Sequence, residues 1–155
     1  MLSWQWSSFD ELSPRELYQI LRLRQAVFAV EQNCVYQDCD NADQLSWHLT
    51  GREAHQPKKL CAYLRAVPAG VKYAEISIGR VVTNPELRDR GYGKQLMNEG
   101  LKQVQQQWPN AAIRIGAQAH LQKFYNACGF QTVSAPYDED GIAHVEMLRP
   151  AATPV

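Results

Sequence analysis

Apolar and polar positions alternate between period two and period 3.6 along the chain, and the alternation sets the element order. Trp4 and Trp6 share a face at period two, which predicts a strand over Trp4 to Phe9. Ser13-Pro14-Arg15-Glu16 is a helix start: Ser13 can cap, Pro14 suits the first helical position and Glu16 completes a capping box. Leu17, Ile20, Leu21, Arg24, Val27 and Phe28 continue at helical spacing to about Ala29. A polar, irregular segment follows from Glu31 to Gln44. Leu45 to Thr50 and Leu60 to Val67 predict strands, and Pro68-Ala69-Gly70 a turn.

Ala74 to Thr83 is β-branched and alternating, with Glu75 at its start. Its pattern shifts at Gly79, which predicts a bulge. Gly91 to about Trp108 reads as a long helix with an apolar stripe of Leu96, Met97, Gly100, Leu101 and Val104, stopped by Pro109. Ala111 to Ala117 predicts a strand. Leu121 to Cys128 predicts a short helix that Gly129 can end in a left-handed cap. Phe130 to Ser134 and Ala143 to Leu148 predict final strands around an acidic loop of Asp138, Glu139 and Asp140. The order β-α-β-β-β-α-β-α-β-β predicts a single α/β domain over residues 1–155, a three-layer sandwich with helices on both faces of a central mixed sheet.

Composition narrows the function. Lys+Arg and Asp+Glu are both 16, so the net charge of zero argues against a dedicated nucleic-acid or anionic-membrane binder. No apolar run nears the roughly 20 residues that span a bilayer, and the first residues lack a basic-then-apolar leader, which makes the cytoplasm the expected location. The four cysteines are expected to be reduced thiols. Cys34 and Cys39, with His48, are a weak zinc pattern, and no metal is expected.

The candidate chemistry begins at Arg88-Asp89-Arg90-Gly91-Tyr92-Gly93-Lys94, between a strand and a long helix. Helix N-termini leave backbone N–H groups unpaired and carry partial positive charge. Glycines at alternate positions let that backbone approach an anion, and Arg88, Arg90 and Lys94 add charge. This is the pattern of a pyrophosphate-binding turn, against the alternative of a plain tight turn. It is not a P-loop, because Gln95 follows Lys94. It is not a dinucleotide fingerprint, because position 96 is leucine and the next strand offers no acid.

Val81-Val82-Thr83-x-Pro85-x-x-Arg88-x-x-Gly91-x-Gly93-x-x-Leu96-Met97 resembles the acetyl-CoA motif of the GNAT superfamily of acetyltransferases, and Leu121 to Phe130 resembles its helix-then-"GF" segment. Within the superfamily the chain is similar to the ElaA-type subgroup. That likeness rests on Leu23-Arg24-x-x-Val27-Phe28-x-Val30-Glu31-Gln32-x-Cys34-x-Tyr36-x-Asp38, Ile78-Gly79-Arg80-Val81, Gly116 to Gln122, and Glu139-Asp140-Gly141-Ile142-x-His144.

The resemblance implies an acetyl-CoA-dependent N-acetyltransferase acting on a primary amine of a small molecule or peptide. A non-catalytic acetyl-CoA sensor is the alternative. It further implies that the strand ending at Val81-Val82-Thr83 splays from the strand at Ala111 to Ala117 and pairs with the pantetheine arm, with a backbone N–H near Val81 as oxyanion donor. Backbone amides from Arg88 to Lys94 would hold the pyrophosphate. Tyr125 matches the family's tyrosine and would protonate the departing sulfur. Gln118 stands where many relatives carry an asparagine that contacts the cofactor. For the general base the candidate is Glu75; Glu31 and His120 are candidates for the acceptor site, with Asp38, Asp40 and Asp43 able to attract a cationic amine. Arg24 is expected in a structural ion pair, and His144 receives no role. A homodimer is the default among oligomers.

Overall fold

β1 (Leu2–Ser8) opens a sheet in the order β1-β2-β3-β4, completed by β2 (Trp47–Glu53), β3 (Leu60–Val67) and β4 (Ser77–Thr83), each pair antiparallel. The structure is a computed structural model that describes residues 1–151. A second sheet has β8 (Ile142–Arg149) at its centre. β5 (Ile113–Gln118) lies on one edge of β8, and β6 (Gln131–Thr132) and β7 (Tyr137–Glu139) pair with it as well. The sheets meet at one parallel bridge, Ile76 to Ile113, where the Arg114 N–H donates to the Ile76 carbonyl at 2.8 Å.

Helices cover both faces, as the element order predicts. α1 (Pro14–Arg24) packs Ile20 and Leu23 against Tyr63 and Val82. α2 (Tyr92–Gln107) packs on the opposite face, where Leu64, the neighbour of Tyr63, points. A Cβ on Gly100 would come within 2.6 Å of a Leu64 methyl, so any larger residue there would force Leu64 to shift. α3 (Gln122–Asn126) is short and adds Phe124 and Tyr125 to the same core.

The capping box at Ser13 forms as expected: Glu16 N–H donates to Ser13 Oγ at 3.1 Å and Ser13 N–H to the Glu16 carboxylate at 2.9 Å. The helix does not run regularly to Ala29. From Gln25 to Glu31 it widens into a π-helical turn, a distortion that commonly marks a functional site. The second strand begins at Trp47 rather than Leu45. Asp43–Leu45 is a 3-10 turn, and the Ser46 hydroxyl donates to the Ala42 carbonyl at 2.7 Å. The strand expected from Ala74 begins at Ser77, so Glu75 lies before it. β7 was expected as loop. Asp140 (φ 52°) and Gly141 (φ 81°) form the two positive-φ positions of a tight hairpin turn, and Glu139 sits opposite Ile142. No helix among the described residues is long and apolar enough to cross a membrane.

Candidate functional site

β4 and β5 are edge strands of their sheets, and among the described residues the ladder between them is reduced to the Ile76–Ile113 bridge, just before β4 begins. Beyond it they diverge, which is the expected splay. Val81 and Ala117 stand on opposite walls of a cleft of about 310 Å³. The facing edges carry unpaired backbone N–H and C=O groups, which suit an extended ligand that adds as a strand. The bulge expected at Gly79 lies at its C-terminal side. Tyr63 pairs with Val82 and Arg65 with Gly79, so Leu64 alone faces both Arg80 and Val81, and Arg80 takes φ 52°. A bulge leaves its extra residue out of the ladder, and here that frees backbone in the cleft wall.

The glycine turn leads into α2. Asp89 (φ 66°) and Gly91 (φ 74°) are both left-handed, and Gly91 is the residue before the helix rather than its first turn. No side chain caps α2, which leaves its first backbone N–H groups open. A Cβ at Gly91 would meet nothing within 4 Å, so the space ahead of the helix is clear. The turn's side chains behave otherwise than expected. The Arg88 guanidinium bonds to Glu31. Arg90, at 3.2 Å, and the Tyr92 hydroxyl, at 2.8 Å, both bond to the buried Glu53 carboxylate on β2. Among these basic side chains only Lys94 has no ion pair within the described residues. The groups this turn leaves open are therefore backbone N–H groups rather than its arginines.

Tyr125 closes the cleft floor at 7% exposure. Gly129, at φ 90°, ends α3 in the expected left-handed cap, and the Phe130 N–H returns to the Tyr125 carbonyl at 3.1 Å. Edge-to-face packing on Phe124 (5.1 Å) and Phe130 (6.0 Å) fixes the ring. Burial, with the nearby Cys128 thiol, pushes its pKa up to about 12, so the phenol is protonated at neutral pH. Its hydroxyl bonds to no side chain or backbone group among the described residues. Gln118 also lines the cleft and donates to the Gln32 side chain at 3.2 Å.

Asp38, Asp40 and Asp43 are not a free acidic patch. Arg24, fully buried, bonds Asp38 at 3.0 Å and Asp43 at 2.8 Å. Arg65 bonds Asp40 at 2.6 Å and Asp43 at 2.9 Å, and Arg80 bonds Asp38 at 2.8 Å. Burial alone would raise the Asp43 carboxyl; Arg24 and Arg65 outweigh it and hold the group below its usual range. The expected ion pair of Arg24 is thus one corner of a charge network, and the three aspartates have no charge left to attract an amine.

The other acceptor-side expectations also shift. Glu75 makes a bidentate pair with Arg114 at 3.0 and 3.1 Å, which lowers its pKa and weakens it as a base, and it is not part of the cleft wall. His120 is exposed and outside the wall, and Glu31 is engaged by Arg88. A residue without a predicted role lines the cleft instead. His144, at 9% exposure, lines the cleft with Nδ1 at 2.8 Å from the Ile142 carbonyl and Nε2 at 3.3 Å from the Glu139 carboxylate. Its ring stacks on Tyr137 at 6.0 Å. The Asp140-Gly141 hairpin signal was present in the sequence and would have placed Glu139 beside this strand.

Two splayed edge strands, a bulged wall and an open helix N-terminus are the features of an acyl-CoA-dependent acyltransferase. Residues 30–149 match the family model described as Acetyltransferase (GNAT) domain, and the chain belongs to that family. It is 42% identical to Protein ElaA of Escherichia coli (strain K12) over 153 residues, covering 96% of this chain and 97% of that protein. The crystal structure of Escherichia coli ElaA superposes with a TM-score of 0.88 over 96% of this chain and 99% of that one, at 41% identity. An acyl-CoA N-acyltransferase from Pseudomonas aeruginosa gives a TM-score of 0.90 at 37% identity, covering 96% of this chain and 99% of that chain. An aminoglycoside 6'-N-acetyltransferase complexed with coenzyme A shares the fold, with a TM-score of 0.70 at 15% identity over 97% of this chain and 99% of that one.

Proposed function

We propose that the chain transfers the acetyl group of acetyl-CoA to a primary amine by direct attack, with Tyr125 as the general acid. The observation that carries this is one cleft that joins a buried, protonated, unpartnered phenol to two unpaired strand edges, with an uncapped helix N-terminus beyond them. The donor's chemistry matches each part. Its pyrophosphate fits the open N–H groups from Gly91 to Lys94, its amide-bearing arm fits the backbone of Val81 to Thr83, and its sulfur needs the proton that Tyr125 holds. The bulged backbone at Arg80–Val81 supplies a donor for the carbonyl oxygen as negative charge develops there. No metal is needed, because backbone amides meet the phosphates directly.

An aminoglycoside acetyltransferase of the same fold has been crystallised with coenzyme A, which supports the assignment of the donor. Acetyl-CoA should raise the melting temperature of the purified chain without magnesium. Tyr125→Phe should keep that stabilisation and lose about 100-fold or more in coenzyme A release with a working amine, the usual contribution of a positioned acid catalyst. Turnover unchanged in this variant would remove the acid role; stabilisation with no turnover on any amine would make the chain a sensor.

A further inference from the structure

The cleft sets the Nε2 of a histidine, His144, 3.3 Å from a carboxylate oxygen of Glu139. The Nδ1–H of His144 is taken by the Ile142 carbonyl at 2.8 Å, which leaves Nε2 as a lone pair in the neutral ring. That lone pair lies 3.3 Å from Glu139 Oε2, which is also only an acceptor. Two acceptors facing each other repel unless a proton or a multivalent donor sits against them. Of the cleft's three carboxylates, Asp40 is already satisfied by Arg65, whereas Glu139 and Asp140 have no arginine or lysine partner within the described residues, and Glu139 is the one that lies against His144. The backbone that sets this geometry is rigid: His144 pairs with Gln118 on β5 and with Tyr137 on β7, and the two-residue turn at Asp140-Gly141 fixes Glu139 relative to it.

We infer that His144 Nε2 and the Glu139 carboxylate together receive a primary ammonium group, and that His144 is the general base which deprotonates it in place. This rests on the acetyltransferase reading and deepens it. The ammonium gives one N–H to each acceptor. One proton passes to Nε2, and the resulting imidazolium is stabilised by Glu139 on one nitrogen and the Ile142 carbonyl on the other. The freed lone pair forms the C–N bond to the thioester carbonyl carbon. The C–S bond then breaks with its electron pair on sulfur. Sulfur takes a proton from Tyr125, whose hydroxyl is restored by the second proton that the nitrogen sheds. The base is thereby separated from the acid along the cleft, and the imidazolium returns its proton to solvent through the mouth, where Glu139 is half exposed.

The facing groups are Glu139 and Tyr137 on β7 and Gln118 on β5, with Lys72, Tyr73, Asp40, Arg65 and Arg80 sharing the cleft. Lys72 has no ion pair among the described residues and carries the only other primary amine in the wall, so an external acceptor must reach Nε2 past it.

The test measures coenzyme A release from acetyl-CoA with n-butylamine, a lysine-containing peptide and putrescine, using the full chain. His144→Gln keeps a donor for the Ile142 carbonyl and cannot accept the proton; His144→Ala leaves a hole. Both should keep wild-type stabilisation by acetyl-CoA and lose about 100-fold or more in kcat/KM on the best of the three amines. Added imidazole should restore part of the rate to His144→Ala and none to His144→Gln. Glu139→Gln should raise KM for the amine more than it lowers kcat. Wild-type turnover in either His144 variant overturns the inference. So does a loss of turnover matched by loss of acetyl-CoA stabilisation, which would make His144 a folding residue. Absence of stabilisation in the wild-type chain would instead sink the acetyltransferase reading.

Discussion

The proposed donor side, around the start of α2, and the proposed acceptor side, in the cleft, would place charge next to a ligand with different material. The donor end uses backbone. Its arginines turn away to Glu31 and Glu53, and its donors are the uncapped N–H groups ahead of α2. The acceptor end uses side chains: a buried network of Arg24, Arg65 and Arg80 with three aspartates stands behind a wall that presents His144 and Glu139. Backbone donors tolerate many side chains and need one local conformation. A side-chain network needs every partner present, because a buried charge that loses its counter-ion has no water to replace it.

The largest effect should therefore come from breaking the network behind the acceptor end. Asp43 accepts from both Arg24 and Arg65, each at most 1% exposed. Asp43→Ala leaves two buried guanidinium groups short of a partner and should cost about 3–5 kcal/mol in urea unfolding. Retention of full stability would mean that the network is solvated and that the two ends are alike.

Next comes the conformation of the donor turn. Gly91 sits at φ 74° in open space, so Gly91→Ala introduces no clash and tests backbone strain alone. The cost should be about 1–2 kcal/mol, with a weaker thermal shift by acetyl-CoA as the turn relaxes away from its left-handed form. Unchanged stability and unchanged shift would detach the anion site from this residue.

The same contrast explains what the sequence disclosed. The donor end lies within Val81 to Met97, so a single run of residues carries the strand, the turn, the glycines and the helix start. The left-handed cap at Gly129 follows from an equally local signal, whereas the splay and the role of Tyr125 are legible only through the family resemblance. The acceptor end is assembled from the π-helical turn, β3, β4 and the β7–β8 hairpin. Nothing local says that Asp38, Asp40 and Asp43 face three arginines, one of them on each of α1, β3 and β4. In isolation they read as a free acidic loop. Glu75 reads as a strand carboxylate until Arg114, on β5, is seen to take both its oxygens. His144 gained no role because its partner Glu139 lies in a segment of three exposed residues with little β character, and only the Asp140-Gly141 turn reveals the pairing.

A smaller effect tests the network by pH. Burial lowers the pKa of His48 from 6.5, while its Nε2 lies 2.9 Å from the Asp43 carbonyl and its Nδ1 2.7 Å from the Tyr63 hydroxyl. The neutral ring satisfies both contacts, donating to the carbonyl and accepting from the phenol. The unfolded chain binds a proton below about 6.5 that the folded chain refuses, so stability falls as pH drops through and below that value, by at most about 1.4 kcal/mol per unit. His48→Gln should flatten the slope of melting temperature between about pH 6.5 and 5. An equal slope in both proteins would place the titration elsewhere.

The smallest effect is expected where the two ends touch. Arg88, on the donor turn, pairs with Glu31 at the end of the π-helical turn, and both side chains are about two-fifths exposed at 44% and 41%. A pair this exposed contributes about 0–1 kcal/mol, so Arg88→Ala should hardly change the unfolding free energy. Its effect on acetyl-CoA binding discriminates more sharply. If backbone amides hold the pyrophosphate, loss of Arg88 should weaken affinity by less than about tenfold, or 1.4 kcal/mol, and Glu31→Ala should leave affinity equal or slightly higher, because the guanidinium is released toward the phosphates. Loss of binding in Arg88→Ala would mean that the guanidinium leaves Glu31 to carry the anion itself. The donor end would then be a side-chain site like the acceptor end, and Glu31 would be its competitor.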